Sequence, residues 1–160
     1  MAKAQYAILR FSKYKGPEIS RIEAHNERTK EKYASNPDVD TSRSTLNFHL
    51  IQPEHSYREE AERQIAEAGC RVRSDSVKLV EVLIAGTPSF FKDKTQEQIK
   101  EYFEHALEFL RQKQRAETFV SAVVHLDEKT PHMHVTFVPL TDVIFCERKE
   151  WIGIEERSSA

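Results

Sequence analysis

The sequence predicts an α+β domain, in which helices pack on a mainly antiparallel β-sheet. Apolar, β-branched segments alternate with segments of helical periodicity through most of the 160 residues. The last two apolar segments flank a short acidic turn, and so short a connection joins antiparallel strands. No glycine-rich phosphate loop and no internal repeat interrupts this order. The predicted order is strand, helix, strand, helix, strand, helix, strand, strand.

The N-terminal third contains a strand, a helix, a polar loop and a second strand. Gln5 to Tyr14 alternates in the manner of a strand with one buried side, and we expect it to be central in the sheet. Gly16-Pro17-Glu18 predicts a helix start, which places proline at the first helical position and a carboxylate near the positive end of the dipole. We expect this helix to extend to about Tyr33. Asn36-Pro37-Asp38 then breaks it, and a polar loop leads to a strand over Leu46 to Ile51.

The middle of the chain predicts two helices around one strand. Tyr57 to Gly69 has helical character, with Gly69 in the position of a C-terminal stop, and Val77 to Ala85 is apolar and β-branched. Thr95 to Gln98 is a capping box that opens a long helix. One stripe of this helix is predicted to be core, namely Ile99, Tyr102, Phe103, Ala106, Leu107 and Leu110. Two apolar segments, Phe119 to Val124 and Val135 to Val138, complete the sheet as a hairpin.

Composition favours one globular domain over residues 1–160, since 39% of the residues are hydrophobic. The net charge of −2 gives no global nucleic-acid signature. The first fifty residues carry nine Lys or Arg against six Asp or Glu, a mild local bias that is compatible with phosphate binding but more typical of a solvated surface. Cys70 and Cys146 are far apart and form no CxxC motif, which predicts free thiols. Charge interrupts the N-terminal segment too early for a signal peptide, and no apolar run approaches the ~20 residues of a membrane span. We therefore expect a cytoplasmic protein.

Three of the seven histidines lie at the ends of the predicted hairpin strands. His132 and His134 point to the same side of a strand, about 6.5–7 Å apart. His125, at the end of the partner strand, supplies a third imidazole if the register places it opposite this pair. Three imidazoles form a divalent-metal site that keeps positions open for water or substrate, which is the catalytic pattern. The alternative interpretation is that they are ordinary polar residues on a half-exposed hairpin.

Further candidates lie in the N-terminal third. His25 lies on the same face of the predicted helix as Ile22, so we expect its side chain to point towards the protein interior. Arg28 lies one turn beyond it. The alternative for His25 is a partly buried histidine satisfied by a neighbour. The polar loop that contains Arg43 and leads to Asn47 has a composition found both in phosphate-binding loops and in simple connections.

Together these motifs resemble the plasmid mobilisation and recombination relaxases, the Mob/Pre or MobV family. The resemblance rests on His125-Leu-Asp-Glu-Lys-Thr-Pro-His132-Met-His134, on His25-Asn-Glu-Arg28 and on residues 36–47, and it covers most of residues 1–140. It implies an HUH endonuclease-like fold and a metal-dependent enzyme that nicks one strand at a plasmid transfer origin. Such an enzyme stays covalently attached to the 5′ phosphate, so the implied partner is single-stranded or hairpin DNA of that origin.

The resemblance also implies roles for individual residues. In this family the position that matches His25 is the proposed nucleophile, and Tyr33, two turns along the same face, is the alternative. Arg28 is expected to grip the scissile phosphate with its fork of donors. Glu128 is expected to accept a proton from His25 or to orient a metal ligand, and both roles stay open. Asp127 is expected to form the turn rather than to bind metal.

The expected metal site consists of His125, His132 and His134, where a divalent ion would polarise a nonbridging phosphate oxygen. Imidazole ligands suit transition ions better than magnesium, and the resemblance favours manganese or magnesium, so we expect Mn²⁺. Arg43 and Asn47 match a second family motif, which indicates DNA contacts or an equally plausible structural role.

Three alternative functions remain open at this point. A rolling-circle replication initiator of the HUH class would share the metal motif, but it normally presents a tyrosine on a later helix. A metal-dependent hydrolase of small molecules would not bind single-stranded DNA, and a noncatalytic origin-DNA-binding protein would bind DNA without metal. Relatives usually continue into a long C-terminal region for dimerisation or membrane association, and we expect this chain to lack it.

Overall fold

Five strands form one antiparallel sheet in the computed structural model of the protein, which describes residues 3–29 and 36–140. The strands follow the order β1-β3-β5-β4-β2 across the sheet. Their bounds are β1 Ala7–Lys15, β2 Phe48–Ile51, β3 Val77–Gly86, β4 Phe119–His125 and β5 His132–Phe137. The predicted antiparallel sheet is confirmed, and its central strand is β5, which carries two of the candidate ligands.

Four helices connect the strands in the predicted order. They are α1 Ile19–Asn26, α2 Tyr57–Glu67, α3 Pro88–Phe91 and α4 Gln96–Arg111, and short 3-10 segments cover Gly16–Glu18, Thr41–Leu46 and Ala116–Thr118. The single-turn helix α3 was not predicted. Gly69, with φ of 64°, follows α2 as the expected stop. No helix within the described ranges is long and apolar enough to cross a membrane.

Strand β1 lies at the edge of the sheet, so the prediction that it is central is wrong. Phe11 is 61% exposed and Leu9 is 42% exposed. Alternation indicates which side chains share a face of a strand, but it does not reveal whether a helix covers that face. Among residues 3–29 and 36–140 no helix buries these two residues of β1, and their apolar side chains are exposed.

Helix α4 covers one face of the sheet and forms the larger core. Thr95 Oγ1 accepts a hydrogen bond from the Gln98 amide at 3.2 Å, and Gln98 Oε1 accepts one from the Thr95 amide at 3.0 Å, so the predicted capping box is formed. The predicted stripe faces the sheet, with four members buried and Tyr102 and Ala106 packed at the margin. The core residues of this face include Val82, Ile84, Phe91, Ile99, Phe103, Leu107, Leu110, Met133 and Val135.

Helices α1 and α2 cover the opposite face, where the histidines lie. A second, smaller core of Ile19, Tyr57, Ala61, Leu79, Val120 and Val138 joins them to the sheet. This core fixes α1 above β3 and β4 and leaves the histidine end of the sheet open.

Helix α1 ends at Asn26, so the prediction of a helix to about Tyr33 is wrong. The Thr29 amide bonds to the Ala24 carbonyl at 3.1 Å and the Arg28 amide bonds to the His25 carbonyl at 3.4 Å. These two bonds form a Schellman turn, in which Arg28 takes the left-handed conformation with φ of 51°. A glycine usually stands there, so the sequence gives no stop signal. Tyr33 lies outside the described residues.

Replacing Phe103 by alanine tests the core beneath α4. Phe103 is fully buried, and we expect the free energy of unfolding to fall by about 3–5 kcal/mol in urea denaturation. The matched control is Phe109→Ala on the same helix, where the side chain is 50% exposed and a loss below about 1 kcal/mol is expected. Equal losses in the two variants would contradict the burial described for this face.

Candidate metal and active site

The hairpin of β4 and β5 brings the three predicted ligands together. His125 pairs directly with His132 across the two strands, and His134 pairs with Val123, so all three imidazoles lie on one face. Their ring centroids are 5.3 Å apart for His125 and His132, 4.9 Å for His125 and His134, and 5.1 Å for His132 and His134. Nitrogens about 2.1 Å from one ion, at ligand angles near 90–110°, require centroids roughly 4.6–5.3 Å apart. The ring spacing is therefore compatible with three imidazoles around one ion.

Each ring has one nitrogen held by an oxygen outside the triangle. His125 Nε2 lies 2.8 Å from the Asn26 carbonyl, and His132 Nδ1 lies 2.9 Å from the Thr130 carbonyl. His134 Nδ1 lies 3.3 Å from the Glu81 carboxylate. Since a carbonyl oxygen only accepts, Nε2 of His125 and Nδ1 of His132 carry the hydrogen in these contacts. The lone pairs of the opposite nitrogens are left for a ligand, which is the usual arrangement around a metal-binding histidine.

The chemistry of these donor atoms fits a divalent transition ion. His125 Nδ1 and His134 Nε2 are buried and have no hydrogen-bond partner, a costly state for a polar atom unless something else binds it. Burial lowers the pKa of His125 and of His132, with the charge of His134 as the next cause, so both rings stay neutral and able to bind metal at pH 7. Glu128 stands close enough to His125 and His132 to add an oxygen ligand.

His25 stands beside the triangle on α1. Its ring centroid is 5.3 Å from that of His134 and 6.0 Å from that of His125, and the side chain is half-buried. The inward orientation predicted from helix spacing is therefore confirmed. Burial, then the charges of His134 and Arg28, lower the pKa of His25 to about 4. Its nitrogens lie close enough to those of His125 and His134 for the three to bind one ion, so the geometry also permits a ligand role.

The histidines open onto a cleft of about 340 Å³. His25, His132 and His134 line it together with Glu128 from the hairpin turn. Its wall on the far side of β5 comes from strands β3 and β1, including Leu83 and Arg10. A substrate in this cleft would contact the candidate nucleophile and the candidate metal ligands at once.

Arg28 links α1 to the hairpin turn. Its Nε and Nη2 donate to the two oxygens of Asp127 at 2.9 and 2.8 Å, and Nη2 also donates to Glu128 at 2.6 Å. Nη1 donates to the carbonyl of His25 at 3.1 Å. The side chain of Arg28 is 8% exposed, and the two carboxylates outweigh desolvation and raise its pKa. The fork of donors that the sequence assigns to a phosphate is occupied by protein carboxylates in this structure.

Asp127 is fully buried and gathers donors from three parts of the chain. Besides Arg28, the Ser44 hydroxyl donates to it at 2.7 Å and the Asn47 amide donates at 2.9 Å. Burial opposes its ionisation, but these hydrogen bonds, led by that of Arg28, hold the pKa of the carboxyl well below its usual range. Asn47 also accepts from the Leu126 amide at 2.7 Å. Asn47 thus has both polar atoms engaged within the protein, whereas Arg43 is exposed.

Two further residues complete the site and were not predicted. Glu81 is buried in the otherwise apolar strand β3, where it contacts His134 and accepts a hydrogen bond from the Asn26 amide at 2.8 Å. Desolvation raises the pKa of Glu81, but the hydrogen bond and charge of His134 and the bond from Asn26 reverse this and leave it lowered. The sequence signal that could have identified Glu81 is its position as the one charged residue within the apolar segment Leu79-Val-Glu-Val-Leu-Ile84. Asn26 contacts both Glu81 and His125, so it ties α1 to one candidate ligand and to the carboxylate beside another.

A second polar cluster, centred on Glu27, holds the C-terminal end of α1 against the rest of the fold. Glu27 accepts hydrogen bonds from Tyr57 at 2.5 Å and from Ser121 at 3.4 Å, and His49 Nε2 lies 2.8 Å from it. Burial raises the pKa of Glu27, but its bonds to His49 and Tyr57 lower it overall, so the carboxylate is ionised at neutral pH. The three residues that follow His25, namely Asn26, Glu27 and Arg28, are therefore all bound to other elements of the fold.

Comparison with known proteins agrees with this site. Residues 3–159 match the model of a family described as plasmid recombination enzyme, Mob_Pre. The chain belongs to the Mob/Pre family. It is 36% identical over 160 residues to the plasmid recombination enzyme type 3 of Staphylococcus aureus and 33% identical over 140 residues to a plasmid recombination enzyme of Bacillus thuringiensis. These matches cover 97% and 86% of the chain, which spans only 38% and 31% of the two relatives.

Solved structures similar to this Mob/Pre chain have the same fold. A Mn-bound crystal structure of the MobM relaxase domain with plasmid pMV158 oriT DNA, at pH 6.8, matches with a TM-score of 0.81 and 32% identity. A second structure of that domain, bound to a 26-nucleotide oriT DNA, matches with a TM-score of 0.69 and 26% identity. Each match covers 86% of this chain and 72% or 71% of the other. The predicted HUH-like fold and the predicted family are thereby confirmed.

Adding Mn²⁺ to the metal-free form of this Mob/Pre protein tests metal binding. We expect Mn²⁺ at 100 times its Kd to stabilise the wild type by about 2.7 kcal/mol, seen as a rise in Tm. His132→Ala removes one ligand and is expected to weaken Mn²⁺ binding in calorimetric titration by at least about 100-fold. His105→Ala, an exposed histidine on α4, is the matched control and should titrate like the wild type. A metal response unchanged in His132→Ala would contradict the assigned ligands.

The buried ion pair between Arg28 and Asp127 is testable by stability. Asp127→Asn leaves the Arg28 guanidinium with one carboxylate in a poorly hydrated place, so we expect a loss of about 3 kcal/mol in urea unfolding. Asp38→Asn is the matched control, because it breaks a surface pair with Lys129 at 2.9 Å in which both side chains are exposed. There the loss should stay below about 1 kcal/mol. A wild-type stability for Asp127→Asn would refute the structural role of the pair.

Proposed function

We propose that this chain is a metal-dependent relaxase domain, which nicks one DNA strand at a plasmid transfer origin through a covalent 5′-phosphohistidine intermediate. One observation carries the proposal: the ring of His25 stands 5.3 Å from that of His134, at the rim of the three-histidine triangle and open to one cleft. A phosphodiester in that cleft meets a nitrogen nucleophile and a metal site together. Family membership and the oriT DNA bound to the MobM domain support the substrate class.

His25 is the proposed nucleophile. A lone-pair nitrogen attacks phosphorus, the bond between phosphorus and the 3′ oxygen breaks, and a nitrogen–phosphorus bond forms to the 5′ side of the strand. The imidazole loses the proton on its other nitrogen, and the departing 3′ oxygen gains one proton to become a hydroxyl. The pKa of His25, lowered to about 4 mainly by burial, supports this role because a neutral imidazole keeps its lone pair at pH 7.

His125, His132 and His134 would hold the metal ion. When bound, the ion would polarise a nonbridging oxygen of the phosphate and stabilise the charge that develops on it. Two buried imidazole nitrogens without a partner support this assignment, and the imidazole donors favour a transition ion. The Mn-bound state of the MobM domain supports manganese as the ion used.

Arg28 and Glu128 are proposed as positioning residues. Arg28 Nη1 donates to the carbonyl of His25 while its other donors bind the hairpin turn, so the guanidinium fixes the nucleophile relative to the ligands. Glu128 Oε1 lies 3.5 Å from His132 Nε2, and its other oxygen accepts from Asn36 at 3.1 Å. This position suits orientation of His132 or ligation of the ion better than proton abstraction from His25.

The two remaining residues that the sequence predicts to contact DNA, Arg43 and Asn47, are proposed to have different roles. Arg43 is exposed on the 3-10 segment Thr41–Leu46 and is proposed to contact backbone phosphate outside the cleft. Asn47, bonded to both Asp127 and the Leu126 amide, is proposed to hold the hairpin turn instead. Because the proposed substrate is plasmid DNA, we propose that the protein acts in the cytoplasm.

A covalent adduct on a denaturing gel tests the proposed chemistry. We expect the wild type to form an adduct with single-stranded transfer-origin oligonucleotides in Mn²⁺ and not in EDTA. The adduct should be acid-labile, since a nitrogen–phosphorus bond is cleaved by acid and a tyrosine ester is not. His25→Ala should form none while binding Mn²⁺ like the wild type, because the triangle stays intact.

Two further variants separate the alternatives. Tyr33→Phe should retain the adduct, and an acid-stable adduct lost in this variant would make Tyr33 the nucleophile. His132→Ala should lose metal binding and adduct together. Hairpin binding that needs no metal, without any adduct from the wild type, would identify a noncatalytic DNA-binding protein and overturn the proposal.

A further inference from the structure

The proposed reaction needs a cation that holds the DNA strand, and Arg28 does not provide a suitable one. Its donors are bound to Asp127, Glu128 and the His25 carbonyl, and the side chain is 8% exposed. The cleft also contains the Glu128 carboxylate, which repels a phosphate. A further positive group facing the cleft would therefore favour binding of a polyanion.

Arg10 of the edge strand β1 is a positive group that lines this cleft. It pairs with Leu83 of β3, and Leu83 pairs with His134 of β5, so the three side chains lie in one row on the same face. Two strand spacings, about 10 Å, separate Arg10 from His134. Arg10 lines the same cleft as His25 and His132, is exposed, and forms no ion pair or side-chain hydrogen bond with any residue in 3–29 or 36–140.

Tyr6 lies on the same side of this segment, four residues before Arg10. Its backbone is fixed, because its amide donates to Thr87 Oγ1 at 2.8 Å and its carbonyl accepts from the Thr87 amide at 3.0 Å. Tyr6 is 67% exposed, so its ring is accessible to a ligand from outside. Tyr6 immediately precedes β1 and pairs with Thr87, so continued strand alternation would place it on the face of Ile8 and Arg10, about 14 Å from Arg10 along the chain.

We propose that the open face of β1 is a binding track for single-stranded DNA, in which Arg10 holds a backbone phosphate beside the reacting one and Tyr6 stacks on a base further along. The proposal rests on the proposed function and names the residues that deliver its substrate. Both contacts are independent of base sequence, since every nucleotide has a phosphate and every base a π-face. The track would therefore contribute to the affinity for DNA and to the alignment of the strand in the cleft. It would not select the sequence at which the strand is nicked.

Binding of a sequence-neutral probe tests the track. The probe is a fluorescent oligothymidylate of about 20 nucleotides, titrated with the 160-residue protein in Mn²⁺ and followed by anisotropy. Arg10→Gln should weaken binding about tenfold and reduce the slope of log K against log salt by about 0.7, the value for one phosphate contact on a single strand. Tyr6→Ala should weaken binding about tenfold with no change in slope, and Tyr6→Phe should restore it.

Controls come from the opposite face of the same strand. Lys13 is exposed there and pairs with Val80, whose side chain lies in the core under α4, and Phe11 is 61% exposed. Lys13→Gln and Phe11→Ala should bind the probe like the wild type. All five track and control variants should bind Mn²⁺ with wild-type affinity, which excludes damage to the histidine triangle.

The outcomes separate this inference from the proposed function. Wild-type adduct formation with unchanged affinity and salt slope in Arg10→Gln would overturn the track and leave the relaxase proposal standing. Equal losses in Arg10→Gln and Lys13→Gln would also overturn it, because they would indicate a general charge effect. A wild type that binds the probe through Arg10 but forms no adduct with origin DNA would support the track and contradict the nicking function.

Discussion

The buried pair of Arg28 and Asp127 is the constraint on which the site depends. Two hydrogen bonds of 2.9 and 2.8 Å join a residue just past the end of α1 to the turn between β4 and β5. One end of this contact is three residues from the proposed nucleophile, and the other is two residues from a proposed ligand. Removing either partner leaves a poorly hydrated charge, which is why such a pair is costly to break and effective at fixing a position.

The backbone reinforces that constraint. Arg28 adopts a left-handed conformation that a non-glycine residue takes only at some cost, and the Schellman turn it closes ends α1 directly after His25 and Asn26. The Asn26 carbonyl can then accept from His125 while its side chain donates to Glu81. The end of one short helix thereby contacts the outer nitrogen of one ligand and the carboxylate beside another.

Electrostatics explain why the histidines remain neutral. Burial disfavours the imidazolium form of His25, His125 and His132, and several basic groups share a small volume, so each lowers the pKa of its neighbours. The carboxylates compensate from outside the triangle, at Glu81 and at Glu128. A site of this kind presents lone pairs inward and negative charge behind them, which favours a divalent cation. The proposed polyanionic substrate would then be held by cations beyond the carboxylates, which is the role that we propose for Arg10.

The sequence by itself determined the fold class, the order of the main elements and the family. It also determined that the three proposed metal ligands share one face, because strand alternation and a short turn fix which side chains lie together. It could not determine that β1 is an edge strand, since the strands that pair with β1 come from distant parts of the chain. Nor could it show that Arg28 is bound by Asp127 and Glu128, or that Glu81 and Asn26 complete the site. Those contacts join residues 55 to 100 positions apart. Only the tertiary structure decides which polar groups meet, because local propensities carry no information about partners brought together by the packing of α1 against the sheet.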